Sequence, residues 1–87
     1  MAQLIHEHSH RVVDEKGKAH TAKIYGEPTL EGLWEGWIVF TDDSGRTLPT
    51  ERETTQSTLQ FLEYWASGLE PTYLEGAFER ARRLVAR

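Results

Sequence analysis

The stretch Trp34-Glu35-Gly36-Trp37-Ile38-Val39-Phe40 is the most apolar run in an otherwise charged chain of 87 residues. Read as a β-strand, it sends alternate side chains to opposite sides. Trp34, Ile38 and Phe40 then line one face while Leu33, Trp37 and Val39 line the other. Both faces are apolar. One layer of helices covers one side of a sheet, so the second side calls for a fold-back of the chain, a ligand or a partner.

The segments around this strand carry turn signals. Asp42-Asp43-Ser44-Gly45 follows it, and Asp14-Glu15-Lys16-Gly17 occurs earlier with the same chemistry. Aspartate at the first turn position and glycine at the fourth suit a type I turn closed by a left-handed glycine bulge. Such a turn sets Asp14 opposite Lys18 and Asp42 opposite Arg46, and the register of each hairpin follows. Leu4, His6, His8, His10 and Val12 then share a face with His20, Ala22 and Ile24, while Glu7, Ser9, Arg11, Thr21 and Lys23 share the wet face. Phe40 falls opposite Leu48 and Val39 opposite Pro49. Proline cannot donate to a ladder, which marks the fourth strand as an edge. Gly26 to Gly32 has the glycines and proline of a loop.

From about Thr54 the apolar period changes from two to about 3.6. Leu59, Leu62, Trp65 or Ala66, and Leu69 fit one helical stripe, with Ser57 and Gln60 in capping-box spacing at its start and Gly68 as a left-handed C-cap. Pro71 suits the first turn of a second helix. There Leu74, Ala77, Phe78, Ala81, Leu84 and Val85 form the apolar stripe, and Glu75 and Glu79 precede Arg80, Arg82, Arg83 and Arg87 as the helix dipole favours. Gly76 interrupts this helix and raises the question of close packing there. The expected fold is α+β: one domain over residues 1–87, with a four-stranded antiparallel meander and then two helices on one sheet face. The strands occupy about residues 3–52 and the helices about residues 55–87.

Composition narrows the function. Fourteen acidic residues against ten Lys and Arg give a net charge of −4, which repels a phosphate backbone, so nucleic acid is not an expected partner. There is no cysteine, which removes disulfides and thiolate chemistry. No run approaches the roughly 20 apolar residues of a membrane span, and the first residues carry no basic-then-apolar leader pattern. A soluble cytoplasmic protein without membrane contact or cofactor is the expectation.

Three constellations carry chemistry. His6, His8 and His10 align on one strand with His20 beside them, and convergent imidazoles bind zinc, nickel or copper. Spacing of roughly 6.5 to 7 Å along a strand face argues against all of them reaching one ion, so a metal or small-ligand site on this face is an alternative reading. If these histidines lay in an interface, their protonation would weaken association between about pH 7 and 5. Trp34, Trp37 and Phe40, with Tyr25, form an aromatic set suited to packing or stacking. Glu51 and Glu53, with Arg52, would make an acid or base only in a cleft, which is a second alternative. No P-loop, dinucleotide, nucleophile-elbow or zincin motif is present, so the sequence leans away from an enzyme. The expectation is a non-catalytic protein-interaction module, a homodimer or one with a different protein partner, binding through Leu33, Trp37 and Val39. Trp34 and Phe40 are the candidates should the faces be reversed.

Overall fold

Chain reversals between the strands share one local chemistry. In a computed structural model, which describes residues 1–86, Asp14 accepts the amides of Lys16 and Lys18, and Asp42 accepts those of Ser44 and Arg46. Gly17 and Gly45 take φ of +82° and +86°, a region that side chains with a Cβ resist. Asp14 N–H donates to the Lys18 carbonyl at 3.0 Å and Asp42 N–H to that of Arg46 at 3.1 Å, the expected pairings. A third turn, Thr29-Leu30-Glu31-Gly32, repeats the device with threonine in place of aspartate. Its Oγ1 accepts the Leu33 amide at 3.1 Å.

These turns connect β1 (Gln3–Val13), β2 (Ala19–Pro28), β3 (Trp34–Thr41) and β4 (Thr47–Pro49); β5 (Thr54–Gln56), α1 (Leu59–Ser67) and α2 (Pro71–Ala86) follow. The sheet is antiparallel in the order β1-β2-β3-β4, and β5 also pairs with β3. The fourth lane of the expected meander is therefore split in two. β4 pairs with Val39–Thr41 and β5 with Trp34–Gly36. Between them the chain leaves the ladder at Glu51 and Arg52; Thr50 stays tied to Ile38, its amide donating to the Ile38 carbonyl at 2.8 Å and its hydroxyl accepting the Ile38 amide at 3.0 Å.

Strand structure thus reaches Gln56 rather than about residue 52, and α1 begins at Leu59 rather than about residue 55. The N-cap is Thr58, whose hydroxyl accepts the Phe61 amide at 3.1 Å, and not Ser57. Gly68 caps the other end at φ −92°, so it is not left-handed; its amide reaches the carbonyls of Tyr64 and Trp65 without a reversal of the backbone. Pro71 opens α2 as its residue type favours. Arg87, expected in that helix, lies outside the described residues.

The β1–β2 register departs from its expected course. It holds from Val13↔Ala19 to Arg11↔Thr21, then shifts between Glu7 and Arg11 and again between Leu4 and His6. Extra residues in one strand bend it and increase its twist. As a result Ile5 packs on the core and Leu4 falls opposite Tyr25, correcting its assignment to the histidine face.

Both helices cover one face of the sheet, α1 over β1, β3 and β5 and α2 over β1 and β4. Val12, Ala22, Ile24, Ile38 and Phe40 meet Ala66, Leu74, Ala77, Phe78 and Ala81 in the core between them. Leu62 docks differently. Gly26 and Gly36 are register partners, and their missing side chains leave the space that the Leu62 methyls fill.

Candidate functional site

The uncovered face is built by the odd-numbered residues of β2 and β3. Tyr25 pairs with Trp37, Lys23 with Val39, Glu27 with Glu35 and Thr21 with Thr41, all half-buried. Leu4 extends the aromatic row from β1, and Pro49 extends the Val39 row from β4. Glu27 and Glu35 lie toward one end of the strands, where the N-terminal ammonium and Arg52 face them at 3.8 Å each; Lys23 sits in the Val39 row with Glu7 opposite it, and Arg11 lies beyond toward the other end. No other element of the described chain crosses this face.

Sequence-derived site residues separate across the sheet. Trp37 and Val39 are on the open side, and Leu33, just before β3, is 39% exposed. Phe40 is fully buried, with its ring edge-on to Phe78 at 5.2 Å, so it is a core residue and not a contact surface. Trp34 is half-buried at the far end of β3, opposite Pro28 and Gln56. Alternation decides this: Trp34 and Phe40 share the parity of Ile38, which α1 and α2 cover.

The histidines lie on the helix-covered side. His8 Nε2 donates to the Ala66 carbonyl at 2.9 Å, and its ring meets His6 edge-on at 4.9 Å. His10 has a buried Nε2 with no hydrogen-bond partner among the described residues. His20, opposite Val12, has partners of its own. Its ring rests 4.6 Å from Phe78 and its Nε2 donates to Asp14 at 3.1 Å. That bond, with two backbone amides, holds the Asp14 carboxyl down at about 2. Among the described residues no three His, Asp or Glu side chains converge in a way that would hold a metal ion. Histidine is absent from the open face, so protonation there does not enter its chemistry.

Of the two acidic candidates, Glu53 is engaged and Glu51 is exposed. The Tyr73 hydroxyl donates to Glu53 at 2.6 Å, and Arg80 closes an ion pair with the same carboxylate oxygen. Burial, and then the bond to Glu53, push the Tyr73 hydroxyl up to about 12. Glu53 thus has a structural partner on each side and ties the β4–β5 break to α2. A shallow hollow of about 340 Å³ beside it is lined by Glu51, Arg52, Arg80 and Arg83.

Two surface aromatics escape the sequence reading. Phe61 is 55% and Tyr64 80% exposed on the outer side of α1. The stripe through Leu62 and Ala66 accounts for the buried side of this helix, and aromatics three residues apart off that stripe were the available signal.

No protein family, curated protein or solved structure matches this chain. Its function must be argued from its own surfaces. Among the described residues no helix is long and apolar enough to cross a membrane.

Proposed function

We propose that this protein is a small non-catalytic interaction module of the cytoplasm that pairs with a second copy of itself through the open face of its sheet. The observation that carries this reading is the row Leu4–Tyr25–Trp37 beside Val39 and Pro49, on a face left bare by both helices. Burial of aromatic and branched side chains is what drives association. The edges of the sheet favour the face as the contact. β1 carries two register shifts, and the opposite edge is broken after Thr50 and bears Pro49, devices that discourage strand-to-strand joining.

A second copy suits this face by charge. Consider a two-fold axis lying in the interface and running across the strands. It reverses strand direction, so the Glu27 and Glu35 end of one copy faces the Lys23 and Arg11 end of the other. The same apolar rows meet at the centre.

Sedimentation equilibrium tests the proposal. The wild type is expected to be dimeric at micromolar concentration, and Trp37→Glu to be a folded monomer. A monomeric wild type would refute the reading, as would a Trp37→Glu protein that stays folded and dimeric. In the second case a partner surface elsewhere, such as Phe61 and Tyr64, becomes the candidate.

A further inference from the structure

The two aspartate turns lie at the same end of the sheet, and with the last turns of α2 they enclose a hollow of about 290 Å³. That volume is at the small end of the range for ligand cavities. Leu48 and Val85 form its apolar floor, with Phe78 beneath them. The walls hold charges of both signs, but the signs are not equally available.

Each acid of the wall is already engaged within the protein. Asp14 accepts the Lys16 and Lys18 amides on one oxygen and His20 on the other. Asp42 takes the Ser44 amide, the Ser44 hydroxyl and the Arg46 amide on one oxygen and faces the Lys18 ammonium at 3.7 Å with the other. Glu15 is gripped at both oxygens by Arg82, each contact 2.7 Å. The cations are less committed. Among the described residues, Lys16 and Arg46 have no carboxylate within ion-pair distance, and Lys18 is 57% exposed. A chain of net charge −4 thus presents, at this hollow, cationic groups with unused donors above an apolar floor.

We propose that this hollow binds a small organic anion, a phosphate or carboxylate attached to a compact apolar body. The apolar body sits on Leu48 and Val85, and the anionic group is held by Lys16, Lys18 and Arg46. A cationic ligand is disfavoured because the Asp14, Glu15 and Asp42 carboxylates are each engaged by donors or cations of the chain itself. The hollow faces away from the Tyr25–Trp37 row, so this proposal is independent of self-association.

Phenyl phosphate is a suitable probe, followed by calorimetry and by amide shifts in two-dimensional NMR. We expect binding in the submillimolar range, with the shifts centred on Lys16, Lys18, Arg46 and Val85. Inorganic phosphate and benzyl alcohol each carry half of the recognition and should bind at least about tenfold more weakly, a loss of about 1.4 kcal/mol. Lys16→Gln combined with Arg46→Gln removes no internal ion pair and should weaken phenyl phosphate by about tenfold or more while the circular dichroism spectrum is unchanged. Val85→Ser, on the exposed part of the floor, should also weaken it. Trp37→Glu should leave it unchanged. Absence of binding at about 10 mM would overturn the proposal, since affinity weaker than that is below about 3 kcal/mol. So would shifts centred elsewhere, or an affinity that the double charge variant does not alter.

Discussion

Leu62 of α1 occupies the space that a side chain at Gly26 of β2 would need, and Gly36 across the ladder leaves the other half of the same gap. A Cβ at Gly36 would stand 2.7 Å from one Leu62 methyl, and a Cβ at Gly26 would overlap the other more closely still. At Gly26 the added carbon would also meet the Glu35 carbonyl oxygen at 3.0 Å and Ile5 at 3.2 Å. Moving Leu62 off one glycine presses it onto the other.

Gly26→Ala is therefore expected to lower stability by about 1–3 kcal/mol through overpacking. Leu62→Ala is expected to cost about 2–5 kcal/mol through the cavity it leaves. In the double variant the new methyl enters that cavity, so the two costs should add to more than the measured total. Urea unfolding of the complete double-variant cycle measures the coupling; strict additivity would show that glycine and leucine do not compete for the same space.

Acid should reveal the bond between His20 and Asp14. The folded Asp14 carboxyl is held at about 2, against 3.8 when free, chiefly by His20 and then by the Lys18 amide. A carboxyl whose folded value is depressed stabilises the fold above its free value, and that contribution is lost as pH falls through the folded value. The difference in stability between wild type and Asp14→Asn should thus be full above about pH 4 and close toward pH 2. Thermal or urea unfolding across that window checks it; a difference independent of pH would mean that the carboxylate charge is not what the turn uses.

Alkali should reveal the tie between Tyr73 and Glu53. Burial is the larger cause of the raised Tyr73 value of about 12, and the bond to Glu53 is the second. Glu53→Gln should therefore bring the phenol only part of the way back toward 10.0. Because the folded value lies above the free one, the stability that protonated Tyr73 contributes is present below pH 10 and is lost as pH rises through about 12. Ultraviolet difference titration of tyrosinate in both proteins reads the shift directly. An unchanged titration in Glu53→Gln would place the cause in burial alone.

Gly76 offers a gain in stability. It is exposed inside α2, and a Cβ there would meet only the Arg80 guanidinium, at an ordinary 3.6 Å. The glycine does not mark close helix packing. Gly76→Ala should stabilise the protein by about 0.5–1 kcal/mol by restricting the unfolded chain. A rise in unfolding midpoint without a change in slope is the expected result.

Much of the architecture is legible in local chemistry. Asp14, Gly17, Asp42 and Gly45 mark two hairpins because aspartate accepts turn amides and glycine tolerates positive φ. The change from a period of two to 3.6 near Thr54 separates sheet from helices, although Thr54–Gln56 is still strand. Thr29 and Gly32 carried the same turn signal with a hydroxyl in place of a carboxylate, and it is readable once the hydroxyl is counted as an acceptor. Thr58 and Ser57 are equally good caps by type, and only the packing of Leu62 and Ala66 selects Thr58.

Alternation along Trp34–Phe40 shows that two apolar faces exist, and the turn residues show which strands are neighbours, because both depend on a few adjacent residues. Which face the helices cover depends instead on contacts between distant parts of the chain. Leu62 needs a seat without side chains, and Gly26 and Gly36 supply one on the side of Ile24 and Ile38. That choice leaves Tyr25 and Trp37 open and turns His8 toward Ala66. The shifts in β1 belong to the same level: two extra residues between Glu7 and Arg11 keep its faces, and one extra residue between Leu4 and His6 exchanges them.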